Sequence, residues 1–163
     1  MSDNYAVING KRVELTDEQV KVLGVEVEKK RRNPFERVDN DNEYYYIKNS
    51  GEVSNYCEVR DSVDNELYDN INYFNDEQFA QQVALHQLLY RKLLKFAYDN
   101  GYEDGDKISR YYVAYFPKTK AFVVRTDDAF RAPWVYFSSY EGAMRAITEV
   151  AEPFMKKHPK FVW

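Results

Sequence analysis

One order of secondary structure occurs twice along this chain: two strands, a loop, a short strand and a capped helix. The phrases that match between the two copies are 44–47 with 111–114, and 73–75 with 136–138. Asn75 and Ser138 are each followed at the third helical position by a glutamine or a glutamate, which predicts a capping box at both helix starts. We therefore expect an α+β fold built from two pseudo-repeated β-β-β-α units, with antiparallel sheet packed on helices.

The first copy is expected to span residues 43–101. Strands over 43–48 and 52–59 flank the turn at Asn49-Ser50-Gly51, an acidic loop covers 60–70, and a short strand over 71–74 leads to a helix over 76–99. The apolar stripe on this helix is wide. Such a stripe indicates contact on more than one side, either within the fold or in a homodimer.

The second copy is expected to span residues 108–157. Strands are predicted over 109–116, 120–126 and 134–137, followed by a helix from Ser138 to about residue 152, where Pro153 ends or kinks it. Before both copies, residues 1–28 predict a small hairpin around Asn9-Gly10 and a short helix that Thr16 and Gln19 cap. Residues 29–42 begin with a basic run and predict a linker, so the α+β core covers 43–163.

Charge is distributed unevenly along the chain, whose net charge is −4. Residues 39–77 contain eleven acidic residues against Lys48 and Arg60, so this segment carries −9 and the rest carries +5. The overall acidity argues against a general affinity for the nucleic-acid backbone. Cys57 is the only cysteine, and the sequence shows neither a leader nor an apolar run that spans a bilayer. These features predict a soluble cytoplasmic protein.

Catalytic and metal-binding motifs do not stand out, so we expect no enzyme, no cofactor and no metal site. The two histidines are His86, on the predicted helix, and His158, in a basic C-terminal segment. No local signature pairs either histidine with Cys57. The acidic residues of the 60–70 loop lack the spacing and the central glycine of an EF-hand, which favours a solvated loop.

One pattern favours nucleic-acid binding as an alternative function. The strands of the second copy carry basic and aromatic side chains that suit the stacking of single-stranded bases, at Arg110, Tyr112, Arg125 and Arg131. Alternating aromatic residues on a strand more often bury one face under a helix. A phage accessory protein that binds nucleic acid or a nucleotide through this aromatic sheet face is therefore the second hypothesis.

Phrases over residues 8–20, 33–38, 43–53, 64–68 and 135–139 resemble a family of small, mostly uncharacterised phage and prophage proteins of Gram-positive bacteria. The resemblance implies a phage accessory protein in the cytosol of the host bacterium, a class that includes anti-CRISPR inhibitors of host defence. An acidic surface suits the positively charged channel of a CRISPR nuclease. Carboxylates steer a partner and tyrosines supply contact area. The partner-binding residues expected on this basis are Tyr56, Glu58, Asp61, Asp64, Glu66, Tyr68 and Asp69.

Overall fold

The computed structural model describes residues 5–9, 11–23, 33–103, 110–126 and 134–163. It contains helices and small antiparallel sheets, which confirms the α+β fold class. The chain divides into two compact units, residues 1–33 and 34–163. Residues 34–42 thus belong to the second unit, although the sequence predicted a linker there. Val38 is buried, and its amide donates to the Tyr73 hydroxyl at 3.2 Å. The basic run at 29–32 lies outside the described residues.

The first unit is a hairpin followed by a short helix, as predicted. Its elements are β1 (Tyr5–Ile8), β2 (Lys11–Glu14) and α1 (Asp17–Leu23). Asn9 has a φ of +52°, the left-handed conformation that a tight hairpin turn requires. The predicted capping box is present, because the Thr16 amide donates to Gln19 Oε1 at 2.8 Å and the Gln19 amide donates to Thr16 Oγ1 at 3.3 Å.

The second unit contains two hairpins and five helical segments in its described part. Its elements are β3 (Glu43–Ile47), β4 (Val53–Cys57), α2 (Ser62–Asp69), α3 (Glu77–Asp99), β5 (Tyr111–Phe116), β6 (Ala121–Thr126), β7 (Tyr136–Phe137), α4 (Tyr140–Ala146), a π-helical turn (Ile147–Ala151) and α5 (Glu152–Lys157). The antiparallel pair β3–β4 gains one isolated bridge between Tyr45 and Phe74, where the sequence predicted a short third strand. The other sheet has the order β6-β5-β7.

Helix α2 occupies the segment that the sequence predicted as an acidic loop, and this prediction was wrong. The Asp61 carboxylate accepts hydrogen bonds from the amides of Val63 and Asp64, at 2.8 and 2.9 Å. The Asp64 carboxylate in turn accepts from the Asp61 amide at 3.2 Å. This reciprocal exchange is a capping box with aspartate at both positions. The acidic composition that suggested a solvated loop therefore includes the groups that start a helix.

Helix α3 begins after Asp76, one residue later than the predicted cap. Asp76 Oδ1 accepts from the Phe79 amide at 2.8 Å, whereas the Asn75 side chain donates to the carbonyl of Glu36 at 2.8 Å. The buried residues of α3 are Ala80, Ala84, Leu89, Leu93 and Ala97. The helix contacts β3 and β4 as well as β7, α4 and the π-helical turn. Contact with both halves of the unit accounts for the wide apolar stripe, while a homodimer stays a hypothesis.

The three-stranded sheet packs one face on the main apolar cluster. Tyr111 and Val113 of β5 and Val124 of β6 contact this cluster. Its buried members are Leu89, Leu93, Ala97, Val135, Phe137, Ala143, Ala146, Phe154 and Phe161. Because successive side chains of a strand point to opposite faces, Tyr112 lies on the other face, opposite Arg125 in the register.

The C-terminal helical segment continues past Pro153, where the sequence predicted an end or a kink. Helix α4 is capped by Ser139, not by Ser138, because Ser139 Oγ accepts from the Gly142 amide at 3.0 Å. The π-helical turn immediately precedes α5, and Pro153 lies in the first turn of α5. Proline lacks an amide hydrogen and its ring clashes with the carbonyl one turn earlier. The wider π-helical turn relieves that conflict and lets the segment continue.

Candidate functional site

Glu58 is the centre of a buried hydrogen-bond network, with a side chain that is 0% exposed. Arg37 donates from Nε to Glu58 Oε2 at 2.9 Å and from a terminal nitrogen to Oε1 at 3.0 Å. The Tyr73 hydroxyl donates to Oε2 at 2.8 Å, and the Arg60 amide donates to Oε1 at 2.9 Å. The hydrogen bonds from Arg37 outweigh the effect of burial and hold the pKa of Glu58 below its usual value. Glu58 is therefore ionised at neutral pH.

Asp64 is a second buried carboxylate, also 0% exposed. The Tyr44 hydroxyl donates to its Oδ1 at 2.7 Å, and the Val59 amide donates to its Oδ2 at 2.8 Å. Burial acts to raise the pKa of Asp64, but the hydrogen bonds from Tyr44 and from backbone amides outweigh it, so this pKa is lowered. Burial and the hydrogen bond to Asp64 raise the pKa of Tyr44. Asp64 thus links the strand β3, the segment after β4 and the start of α2.

Two stacked tyrosines connect the carboxylates. The rings of Tyr44 and Tyr73 lie 4.1 Å apart between centroids, at an angle of 17°. Burial and the hydrogen bond to Glu58 raise the pKa of Tyr73 to about 12. Throughout the described residues, every buried side-chain nitrogen or oxygen has a hydrogen-bond partner. A fully satisfied buried network of this kind restricts the local structure to one arrangement.

The network supports an exposed surface along α2 and the open end of the β3–β4 hairpin. We call it the α2 surface, and it comprises Asp41, Tyr56, Val59, Asp61, Val63, Glu66, Tyr68 and Asp69. Tyr56, Val59 and Val63 are 49%, 51% and 51% exposed. No described lysine or arginine forms an ion pair with an acidic side chain of this surface. The α2 surface therefore combines uncompensated negative charge with exposed apolar area.

Five of the seven predicted partner-binding residues lie on the α2 surface. Tyr56, Glu66, Tyr68 and Asp69 are exposed, and the half-buried Asp61 caps α2. The Arg37 guanidinium lies 5.2 Å from the centroid of the Tyr68 ring. The two exceptions are Glu58 and Asp64, for which the prediction of an exposed contact is corrected. Both are fully buried because tyrosine, arginine and amide donors surround them.

Sequence reasoning missed the partners of these buried carboxylates. Arg37 lay in the predicted linker, and Tyr44 and Tyr73 were not among the predicted site residues. Val59 and Val63 were also missed as exposed apolar residues. One usable signal was present, since Asp61 and Asp64 have the spacing of a capping box.

Three of the four predicted nucleic-acid-binding residues lie in the part of the chain that the structure describes. Tyr112 and Arg125 are register partners on the face of the sheet opposite the apolar cluster, and Arg110 is half-buried just before β5. The Arg125 guanidinium lies 5.2 Å from the centroid of the Phe116 ring. Tyr112 stacks on the exposed Trp134, with 6.1 Å between centroids and 7° between planes. Arg131 lies outside the described residues.

The histidines and the cysteine do not converge on a site in the described residues. His86 packs against Phe161 with 4.6 Å between ring centroids, and His158 packs against Phe154 at 4.5 Å. Cys57 is exposed and unbonded. The described part of the chain contains no group of three metal-ligating side chains, and no helix there is long and apolar enough to cross a membrane.

Comparison of the chain with protein-family models, with curated proteins and with solved structures finds no match.

Proposed function

We propose that this chain is a non-enzymatic interaction protein that binds a basic partner through the α2 surface. One observation carries the proposal: exposed acidic side chains without described cationic partners lie together with exposed apolar side chains. Uncompensated surface charge attracts an oppositely charged partner over a distance of about 10 Å at moderate salt. Exposed apolar side chains then supply the contact area that becomes dry on binding.

The arrangement of α2 suits a contact that changes little on binding. Asp64 faces the interior and anchors the helix, whereas Val63 and Glu66 face outward. The anchoring hydrogen bonds from Tyr44 and Val59 already order the helix in the free protein. A surface that is ordered before binding loses less conformational entropy when the complex forms.

The partner that we propose is a host defence nuclease, most specifically a CRISPR nuclease, in the cytosol of a bacterium that a phage infects. Such nucleases hold guide and target nucleic acids in positively charged channels. An acidic surface with tyrosines at its margin has the charge and the contact chemistry to occupy such a channel. The resemblance to phage proteins supports this choice of partner, and inhibition would follow from steric competition with the nucleic acid.

The test is inhibition of target-DNA cleavage by purified, guide-loaded CRISPR nucleases from Gram-positive hosts. The informative variant is the double substitution Glu66→Lys and Asp69→Lys, which reverses two exposed charges and leaves the capping residues intact. The matched control is Glu103→Lys with Glu152→Lys, two exposed acids outside the α2 surface. We expect loss of inhibition in the first variant only. Equal inhibition by the wild type and the α2 variant would refute the proposal.

A pull-down from host lysate, with and without nuclease treatment, tests the choice of partner. We expect a protein that is captured in both conditions and that the Glu66→Lys, Asp69→Lys variant fails to capture. Capture that disappears after nuclease treatment would instead indicate that nucleic acid bridges the two molecules.

A second candidate function is binding of single-stranded nucleic acid at the face of the three-stranded sheet that carries Tyr112 and Arg125. The parallel stacking of Tyr112 on the exposed Trp134 favours it, because exposed aromatic rings stack on bases. Substitution Arg125→Ala should then weaken binding to a short oligonucleotide and reduce its salt dependence. Absence of binding at low salt would exclude this function.

We also propose that the two halves of the second unit derive from one repeated β-β-β-α unit. In both halves the first strand of the hairpin lies between its partner and a segment just before a helix: β3 pairs with β4 and Phe74, and β5 with β6 and β7. An experimental structure tests the proposal, since the two sets of strands and helices should superpose in chain order. Different crossing of α3 and α4 over their sheets would refute it.

A further inference from the structure

An open polar cavity of about 370 Å³ lies beside the C-terminal end of α2. It is formed by the turn of the β3–β4 hairpin, the segment after α2 and the middle of α3. Its lining residues are Ile47, Lys48, Asn49, Gly51, Asn70, Ile71, Asn72, Gln87 and Arg91. We call it the Arg91 cavity. Its volume falls within the range that small-molecule sites occupy.

The charge of the Arg91 cavity is opposite to that of the segment around it. Lys48 and Arg91 line it and no acidic residue does, although residues 39–77 carry eleven acids. Neither cation forms an ion pair with a described acidic side chain. A guanidinium group and an ammonium group without acidic partners favour an anionic ligand.

The hairpin turn lies against Arg91. Gly51 has a φ of +88°, which side chains rarely tolerate. A terminal nitrogen of Arg91 lies 3.6 Å from the position that a β carbon would take at Gly51. The turn is closed by hydrogen bonds from the Gly51 amide to the Lys48 carbonyl and from the Lys48 amide to the Glu52 carbonyl, both at 2.8 Å. The backbone therefore holds Lys48 and Arg91 at one cavity.

The opposite wall of the cavity is held by the side chain of Asn72, which forms two hydrogen bonds with the backbone of Ile47 as a neighbouring strand would. Asn72 accepts from the Ile47 amide and donates to the Ile47 carbonyl, both at 2.9 Å. Just before it, Ile71 follows the C-cap Asn70 of helix α2 and has a φ of +56°. Amides of Ile71 and Asn72 donate to the carbonyls of Tyr68 and Leu67, which is the Schellman arrangement that normally has glycine in the left-handed position.

Ile71 is unusual at this position because its side chain is β-branched and 63% exposed. Strained backbone of this kind concentrates at ligand-binding sites. The side-chain amides of Asn49, Asn70 and Gln87 also line the cavity. All three side chains are exposed, and they form no hydrogen bond with a described protein group. These amides can both donate to and accept from the hydroxyl groups of a ligand.

We propose that the Arg91 cavity binds a phosphorylated polyol, such as a sugar phosphate. Arg91 and Lys48 hold the phosphate, and the side-chain amides of Asn49, Asn70 and Gln87 bond the hydroxyl groups. A phosphate monoester carries a charge of about −1.5 to −2 at neutral pH, which matches the two cations better than a single carboxylate does. The lining contains no aromatic ring on which a nucleobase would stack. This inference is independent of the function proposed for the α2 surface.

Isothermal titration calorimetry with three probes tests the proposal: ribose 5-phosphate, inorganic phosphate and ribose. We expect ribose 5-phosphate to bind most tightly, inorganic phosphate more weakly, and ribose without measurable heat. Arg91→Gln should weaken ribose 5-phosphate binding by about tenfold or more, since it removes a charged donor fork. Lys92→Gln is the matched control, because Lys92 is the next residue of α3, is exposed and lines a different cavity.

The pH dependence separates phosphate from carboxylate recognition. Binding of ribose 5-phosphate should weaken between about pH 7.5 and pH 5.5, because the second proton of a phosphate monoester binds near pH 6. Circular dichroism establishes that each variant is folded. The proposal is overturned if ribose 5-phosphate gives no heat at millimolar concentration, if Lys92→Gln weakens binding as much as Arg91→Gln, or if inorganic phosphate or ribose binds as tightly as ribose 5-phosphate.

Discussion

Replacing Glu58 by alanine removes the acceptor of four hydrogen bonds, from the Arg37 guanidinium, the Tyr73 hydroxyl and the Arg60 amide. We expect Glu58→Ala to lower the free energy of unfolding by about 3–5 kcal/mol, because it leaves the largely buried Arg37 without its counter-charge. Since whole domains are stable by only about 5–15 kcal/mol, this change removes a large fraction of the total stability. Glu58→Gln keeps the shape and should cost less.

A double-mutant cycle isolates the interaction between Arg37 and Glu58. Arg37→Ala should destabilise by a similar amount, about 3–5 kcal/mol, because it leaves an ionised carboxylate buried. The double variant should lose less than the sum of the two single losses, with a coupling energy of about 2 kcal/mol or more. Urea denaturation at pH 7, followed by circular dichroism, measures all four free energies.

The exposed pair Lys95 and Asp99 on α3 is the matched control. These side chains form an ion pair in the (i, i+4) relation, but they are 75% and 57% exposed. Solvent screens such a pair, so its coupling energy should stay near or below about 0.5 kcal/mol. A coupling between Arg37 and Glu58 no larger than that of the control would refute the reasoning, as would single losses below about 1 kcal/mol.

Three further predictions concern stability. Because the pKa values of Glu58 and Asp64 lie below their ordinary values of 4.5 and 3.8, the unfolded chain binds more protons in acid. The melting temperature should therefore be nearly constant above about pH 5.5 and should fall as the pH decreases below that value. The decrease should be less steep in the Glu58→Gln variant. A melting temperature that stays constant down to about pH 3 would contradict this prediction. Ile71→Gly should raise the free energy of unfolding, measured in urea, by about 0.5–1 kcal/mol, because glycine tolerates the left-handed conformation. A lower free energy of unfolding would show instead that packing of the Ile71 side chain stabilises the protein. Asp76→Ala should lower the free energy of unfolding by about 1 kcal/mol, because it removes the N-cap of α3. An unchanged free energy of unfolding in urea would argue against that cap.

Local chemistry was enough to predict the α+β class and most strands and helices. The N-terminal capping box at Thr16 and Gln19 was predicted correctly because it depends on side chains and amides within one turn. The caps of α3 and α4 were each misplaced by one residue. In both cases two adjacent polar residues precede the helix, and Asn75 bonds the Glu36 carbonyl instead, a contact between segments far apart in the sequence.

The C-terminal helical segment shows a similar limit of prediction from local sequence. Pro153 alone predicts the end or a kink of a helix, because the residue lacks a donor. The π-helical turn that lets the segment continue is stabilised by burial of Ile147 and Ala151 in the core. Local propensity does not contain that information, since the packing involves distant elements.

In the acidic segment over residues 39–77, the sequence and the tertiary structure determine different properties. Composition alone determined that this segment carries a strong negative charge and many tyrosines. Which carboxylates face solvent depended on the fold, because the donors that surround Glu58 come from Arg37 and Tyr73, about twenty residues before and fifteen after it. Burial of a charge becomes favourable only when such donors converge on it. The sequence by itself therefore determined the charge of residues 39–77, and the tertiary structure decided which of these residues form the α2 surface.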